Sequence, residues 1–126
     1  MDIFVKKTDT VVVDVYAWKE DDDIHATNVE SEAPKDKEPE IIKFTFKKPD
    51  YKDSVKIQQS MKFKSDIGGV AISDGLVVDF QDILLRTLLL SVTNGSEVIE
   101  MKNKIDGLHP SIARSAVSGI LNKVSF

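Results

Sequence analysis

The chain has no cysteine. That excludes disulfides, thiolate metal ligands and a cysteine nucleophile, and it is compatible with a reducing compartment. Glycine is sparse, and Gly68-Gly69 lacks the lysine and the spacing of a phosphate-binding loop, so it reads as a turn. The two histidines, His25 and His109, stand in an acidic stretch and at a helix entrance. A divalent-ion site beside Asp21, Asp22 and Asp23 would need ligands spaced around a fixed loop, which this run does not offer. Ser111 and Ser115 show no evident base partner along the chain. No catalytic residue, metal site or cofactor is therefore expected. Long apolar runs are also missing: "ILLRTLLL", Ile83 to Leu90, is broken by Arg86 and Thr87 and is too short to cross a bilayer. The opening MDIFVKKTDT has no apolar core of the signal-peptide kind, so neither a signal peptide nor a membrane partner is expected.

What remains is a globular composition, 41% apolar and 30% charged over 126 residues. That is one domain's worth of chain, long enough to bury a core without staples. The net charge of −4 conceals an asymmetry. Residues 1–40 hold 5 Lys and 12 acids, whereas residues 41–126 hold 12 basic residues and 9 acids.

Three segments follow from the patterning. Residues 1–18 read as a β arm: Val11, Val13, Val15 and Ala17 alternate with Val12, Asp14, Tyr16 and Trp18, and "KKTDT" reads as a turn within a hairpin. Both faces of that strand are apolar, so it is either buried on both sides or meets another chain on one. Residues 19–40 read as an acidic linker carrying Pro34 and Pro39. Residues 41–126 read as an α+β domain ending in a helical pair.

Within that domain, Ile42, Phe44 and Phe46 alternate with Lys43, Thr45 and Lys47 in a half-buried strand. Pro49 ends it, and Asp50 is placed to cap a helix over 51–63, with Asp53 at its third position and Val55, Ile57 and Met61 as contacts. A loop over 64–75, with its cap at Ser73 or Asp74, leads to a helix predicted over 76–92. Its apolar stripe includes Phe80, Leu84 and Leu88, widened by Leu85 and Leu89, and Gly95 is read as its C-terminal stop. Residues 98–106 read as a short strand or irregular link. The last helix enters through Leu108 and Pro110, a first-turn proline that loses no hydrogen bond. Its seam comprises Ile112, Ala116, Val117, Gly119, Ile120 and Leu121, with Ser115 facing away, and the simplest mate for the seam is helix 76–92.

Seven lysines lie within residues 41–64, beside Phe44, Phe46 and Tyr51. Nucleic-acid binding would use such a face. The phenylalanines, however, belong to the opposite, core side, the chain is acidic overall and arginine is scarce, so nucleic acid is not the expected partner.

"FTFKKPDYKDSVKI" followed by a leucine-rich helix and "IDGLHPSIARSAVSGIL" resembles the tail assembly chaperones, small tail-assembly proteins of tailed bacteriophages. Phe44, Phe46, Pro49 and Tyr51 match the strand-to-helix step, with Asp50 between them. Leu108, Pro110, Ile112, Ala116 and Ile120 match the last helix. The resemblance covers residues 41–124; residues 1–40 lie outside it, and helix 76–92 lacks the tryptophan common near its end. It implies a non-enzymatic morphogenesis protein that binds other tail proteins (tube, tape measure or baseplate) in the host cytoplasm. The alternatives are a structural component of the tail, baseplate or neck within the virion, held by strand addition through residues 3–18, and a small inhibitor or adaptor of a host protein. Val11, Val13, Val15, Trp18, Leu85 and Leu89 are the expected partner-binding residues, and self-association is left open.

Overall fold

Period-two patterning builds one sheet. Strand β1 (Thr10–Glu20) buries Val13, Val15 and Ala17 on one face and turns Val12, Asp14, Tyr16 and Trp18 to the other. Asp21 and Asp22, both left-handed at φ 56° and 62°, make the tight turn into β2 (Asp23–Thr27). Short polar side chains tolerate that conformation, and it matches the twist of an antiparallel pair. Strand β3 (Glu40–Lys47) pairs with the opposite edge of β1 and buries Ile42, Phe44 and Phe46. Strands β4 (Leu89–Asn94) and β5 (Glu97–Glu100) complete a five-stranded antiparallel sheet of order β2-β1-β3-β4-β5. Three helices follow the pattern of the sequence: α1 (Tyr51–Asp66), α2 (Asp74–Leu88) and α3 (Pro110–Lys123). The computed structural model describes the backbone of residues 2–66 and 74–126, and the side chains of 2–60 and 79–126.

The fold is α+β. Helix α3 lies on β1 and β2, while α2 meets β4, α3 and α1. Phe44, Phe46, Ile57, Leu84, Leu88 and Ile120 are the largest side chains sealed between the layers. Because β2 and β3 flank β1, the connection 28–39 has to cross over β1. It crosses on the face away from the helices: Thr27 donates to Glu32 at 3.2 Å, and Glu30 sits close enough to Tyr16 to act on its phenol. No helix among the described residues is long and apolar enough to cross a membrane.

Several elements differ from the sequence reading. The stretch before Thr10 forms no strand; instead Asp9 accepts the Lys6 N–H at 3.0 Å in a turn. The stretch expected as an N-terminal arm is built into the sheet from Thr10 on, with β3 pairing to β1 over Thr10–Ala17 and β2 over Tyr16–Glu20. The acidic stretch 19–40 is only partly a linker, because it contains β2 and two short 3-10 turns. The helix predicted over 76–92 stops at Leu88 and continues directly as β4. Gly95, left-handed at φ 64°, makes the hairpin turn between β4 and β5 rather than a helix stop. Gly95-Ser96, with glycine at the first central position, is a two-residue hairpin signal, and pairing with β3 overrides the helical periodicity of the leucines. The Gly68-Gly69 turn and Ser73 lie outside the described residues, as does the Met61 side chain, and Asp74 is the first residue of α2.

The entrance to α1 forms as its residues suggest. Asp50 accepts the Asp53 N–H at 2.9 Å, and Asp53 in return accepts the Asp50 N–H at 3.3 Å, a reciprocal cap on two otherwise unpaired donors. The Lys47 ammonium lies 2.7 Å from the buried Asp53 carboxylate, joining β3 to the helix start. Hydrogen bonding to Asp53 holds the Lys47 ammonium above its ordinary value, and the Asp53 amide holds the Asp50 carboxyl below the usual carboxylate range. Asp53→Ala should destabilise by about 2–4 kcal/mol, because it removes a cap and strands a half-buried lysine. Tyr51→Ala, at the exposed neighbour, should cost no more than about 0.5 kcal/mol. Urea denaturation of both variants checks this, and equal midpoints would reject the pair as a stabilising feature.

Candidate functional site

One face of the sheet carries the helices; the other is left to the crossing segment 28–39 and to solvent. Its rows follow from the register. Val12 stands beside Thr45, which stands beside Ser91. Asp14 stands beside Lys43, Thr93 and Val98 in turn, and Tyr16 beside Ile41 and Thr27. Asp14 and Lys43 form a cross-strand ion pair at 3.7 Å. Near the β1–β2 turn Trp18 stacks on His25 with ring centroids 6.0 Å apart, and its indole N–H donates to Glu20 at 3.3 Å. Burial pushes the Tyr16 phenol above its ordinary value, and the Glu30 and Asp14 carboxylates add to that.

Aliphatic side chains on this face remain uncovered: Val12 is 41% exposed, Ile41 51% and Val98 61%. They are separated by Thr45, Lys43 and Thr93, so the face is a mixture of apolar, aromatic and charged groups and not a continuous apolar patch. Mixed surfaces of this kind are the ordinary composition of protein interfaces.

Most residues expected to meet a partner belong to the chain's own core. Val13, Val15, Leu85 and Leu89 are buried, and Val11 packs half-buried against them. Of that set Trp18 alone lies on the open face. For strand addition through residues 3–18, β3 fills one edge of β1 over Thr10–Ala17, whereas β2 pairs with the other edge only over Tyr16–Glu20, so Thr10–Val15 have a strand on one side alone. In the last helix Ala116, Val117, Gly119 and Ile120 are buried and Ile112 is half-buried, but Leu121 is exposed and Ser115 is buried, reversing their expected places. Ser115 donates to the Ser111 carbonyl at 2.9 Å, which satisfies its hydroxyl inside the helix. The seam faces β1 more than α2: a Cβ on Gly119 would stand 2.2 Å from Val13 Cγ1. Pro49 is buried, Tyr51 is exposed and Leu108 is half-buried.

A second constellation was not legible along the chain. His109 caps α3, with Nδ1 accepting the Ser111 N–H at 3.3 Å, and Nε2 lies 3.3 Å from Asp23. The Ser111 hydroxyl donates to the Ile24 carbonyl at 2.8 Å, and its oxygen also lies 2.8 Å from His109 Nδ1. Ser111 thus has an imidazole partner after all, brought by the helix entrance itself. The Ile24 amide, aided by the His109 imidazole, holds the Asp23 carboxyl below its ordinary value. Together these groups tie the edge strand β2 to the start of α3. The imidazole lone pair is taken up by the cap, and the hydroxyl answers an outward-pointing strand carbonyl, so the arrangement serves to close the β2 edge.

The chain matches no protein-family model, no curated protein and no solved structure. The class that the structure defines is an α+β domain with a one-sided antiparallel sheet.

Proposed function

We propose that this chain is a non-enzymatic protein-binding domain of tail morphogenesis in a tailed bacteriophage, engaging the tape-measure or tail-tube protein during assembly. The resemblance over residues 41–124 supplies the setting. The observation that carries the binding role is the uncovered sheet face with Val12, Ile41 and Val98 set among Tyr16, Lys43 and Thr93. Among the described residues, Leu84, Leu85 and Leu88 of α2 and Ala116, Val117 and Ile120 of α3 are consumed by the core, which favours the sheet as the working surface.

The test is direct binding of the purified chain to the tube and tape-measure proteins of the same phage. Ile41→Lys and Val98→Lys should each weaken that binding by about tenfold or more, the size of an interface anchor, with stability changed by no more than about 0.5 kcal/mol. Failure to bind either protein would sink the reading. Mass spectrometry of assembled particles then separates the roles: absence from the particle fits a chaperone, and a fixed integer ratio to the tube protein fits a structural subunit.

A further inference from the structure

The two ends of the sheet carry complementary features that the proposed function does not use. At the start of β1, the segment 2–9 is tied to the end of β3 by a hydrogen bond from the Lys48 N–H to the Asp9 carbonyl at 2.9 Å. It is ordered further by the Phe4 N–H donating to Asp2 at 3.1 Å and by an ion pair between Lys6 and Asp2 at 3.6 Å. This held segment nonetheless turns Ile3 and Phe4 outward, 79% and 77% exposed. Two adjacent large apolar side chains displayed by a hydrogen-bonded segment expose surface that burial would stabilise.

The opposite end of β1 carries a cleft of about 360 Å³. Its apolar lining comes from Ala17, Ile24, Ile42 and Ile112. Its rim holds Lys19, Lys37, Glu38 and Glu40, none of which has an ion-pair partner among the described residues. The volume lies at the lower end of ligand pockets and suits one or two side chains. The tip matches it in polarity and in charge: Asp2 and Lys6 beside Ile3 and Phe4 pair with each other, and Lys7, with no ion-pair partner among the described residues, is the charge that meets the rim glutamates Glu38 and Glu40. Tip and cleft lie at opposite ends of β1, roughly 26 Å apart over the eight residue steps from Asp9 to Ala17, and within one molecule Ile3 and Phe4 stand exposed and outside its own cleft.

We propose that the cleft receives the Ile3–Phe4 tip of a second copy of this chain, giving a head-to-tail contact. Such a contact uses different surfaces on the two partners, so each added copy presents a fresh tip and a fresh cleft, and association continues unless a ring closes. The contact is small and is expected to be weak and reversible at low concentration. It uses neither the open sheet face nor its partner, so it stands or falls separately from the proposed function.

Sedimentation velocity from micromolar to about 1 mM tests it, with two surface variants. Phe4→Asp disables the tip. Asn94→Trp, at an exposed strand position lining the cleft, fills it. The wild-type chain should show a sedimentation coefficient that rises with concentration, and each variant should remain a monomer with an unchanged far-ultraviolet spectrum and melting temperature. An equimolar mixture of the two variants should form a dimer and stop there, since one live tip and one live cleft remain. A wild-type chain that stays monomeric over the whole range would overturn the proposal, and so would association of Phe4→Asp equal to wild type or a mixture that stays monomeric.

Discussion

A chain lacking residues 2–20 is expected to lose its cooperative thermal transition altogether. Strand β1 supplies the hydrogen-bond ladder for β2 on one side and β3 on the other, so its removal leaves β2 with no strand to pair with. It also removes Val13, Val15 and Ala17 from beneath α3. Full burial of each valine is worth about 1.5–3 kcal/mol, and losing the ladder exposes the buried edge of β3 besides. Against a total stability of about 5–15 kcal/mol for an ordinary domain, that loss is not survivable. Differential scanning calorimetry decides it. A sharp endotherm from the shortened chain would show that β1 is an added arm and that residues 41–126 hold their own core.

Substitution at Gly119 should come next in severity. The missing side chain is what lets α3 settle onto β1: a Cβ would meet Val13 Cγ1 at 2.2 Å, well inside contact distance, and Asn28 Cβ at 3.4 Å. Val13 is sealed and β-branched, so its χ1 is stiff and it has little room to retreat. Gly119→Ala gains about 1 kcal/mol of helix propensity but forces overpacking worth about 1–3 kcal/mol or more, a net loss. Gly119→Leu should not fold. The diagnostic is rescue: Val13→Ala opens space on the facing strand, so Gly119→Ala should cost less in that background than in the wild type. Urea midpoints around the double-mutant cycle measure this coupling. Additive effects would show that Gly119 and Val13 do not touch.

The parts of this fold that were legible in the residues are those set by near neighbours in sequence. Alternation in "VVVDVYAW" and "IIKFTFK" marks two strands and their buried sides, and Pro49-Asp50 and His109-Pro110 mark two helix entrances. The failures arose where a local pattern had two readings. "LLLSVTNGSE" carries leucines at helical spacing and a glycine that serves a hairpin turn as well as a helix stop, and only pairing of Leu89–Asn94 with β3 selects strand over helix. The candidate site was half visible: the apolar second face of β1 suggested a surface for another chain, but Ile41 and Val98 joined it only through the sheet register.

By itself, then, the sequence determined the fold class, the two β-rich segments and the closing helix, because side-chain period, caps and proline positions act over a few residues. Tertiary structure decided which apolar side chains are spent. It turned Leu85, Leu89, Val13 and Val15 inward and left Val12, Ile41 and Val98 bare. It also set Gly119 against Val13 and His109 against Asp23. These contacts join residues far apart along the chain, and no local periodicity encodes which distant surface a side chain will meet.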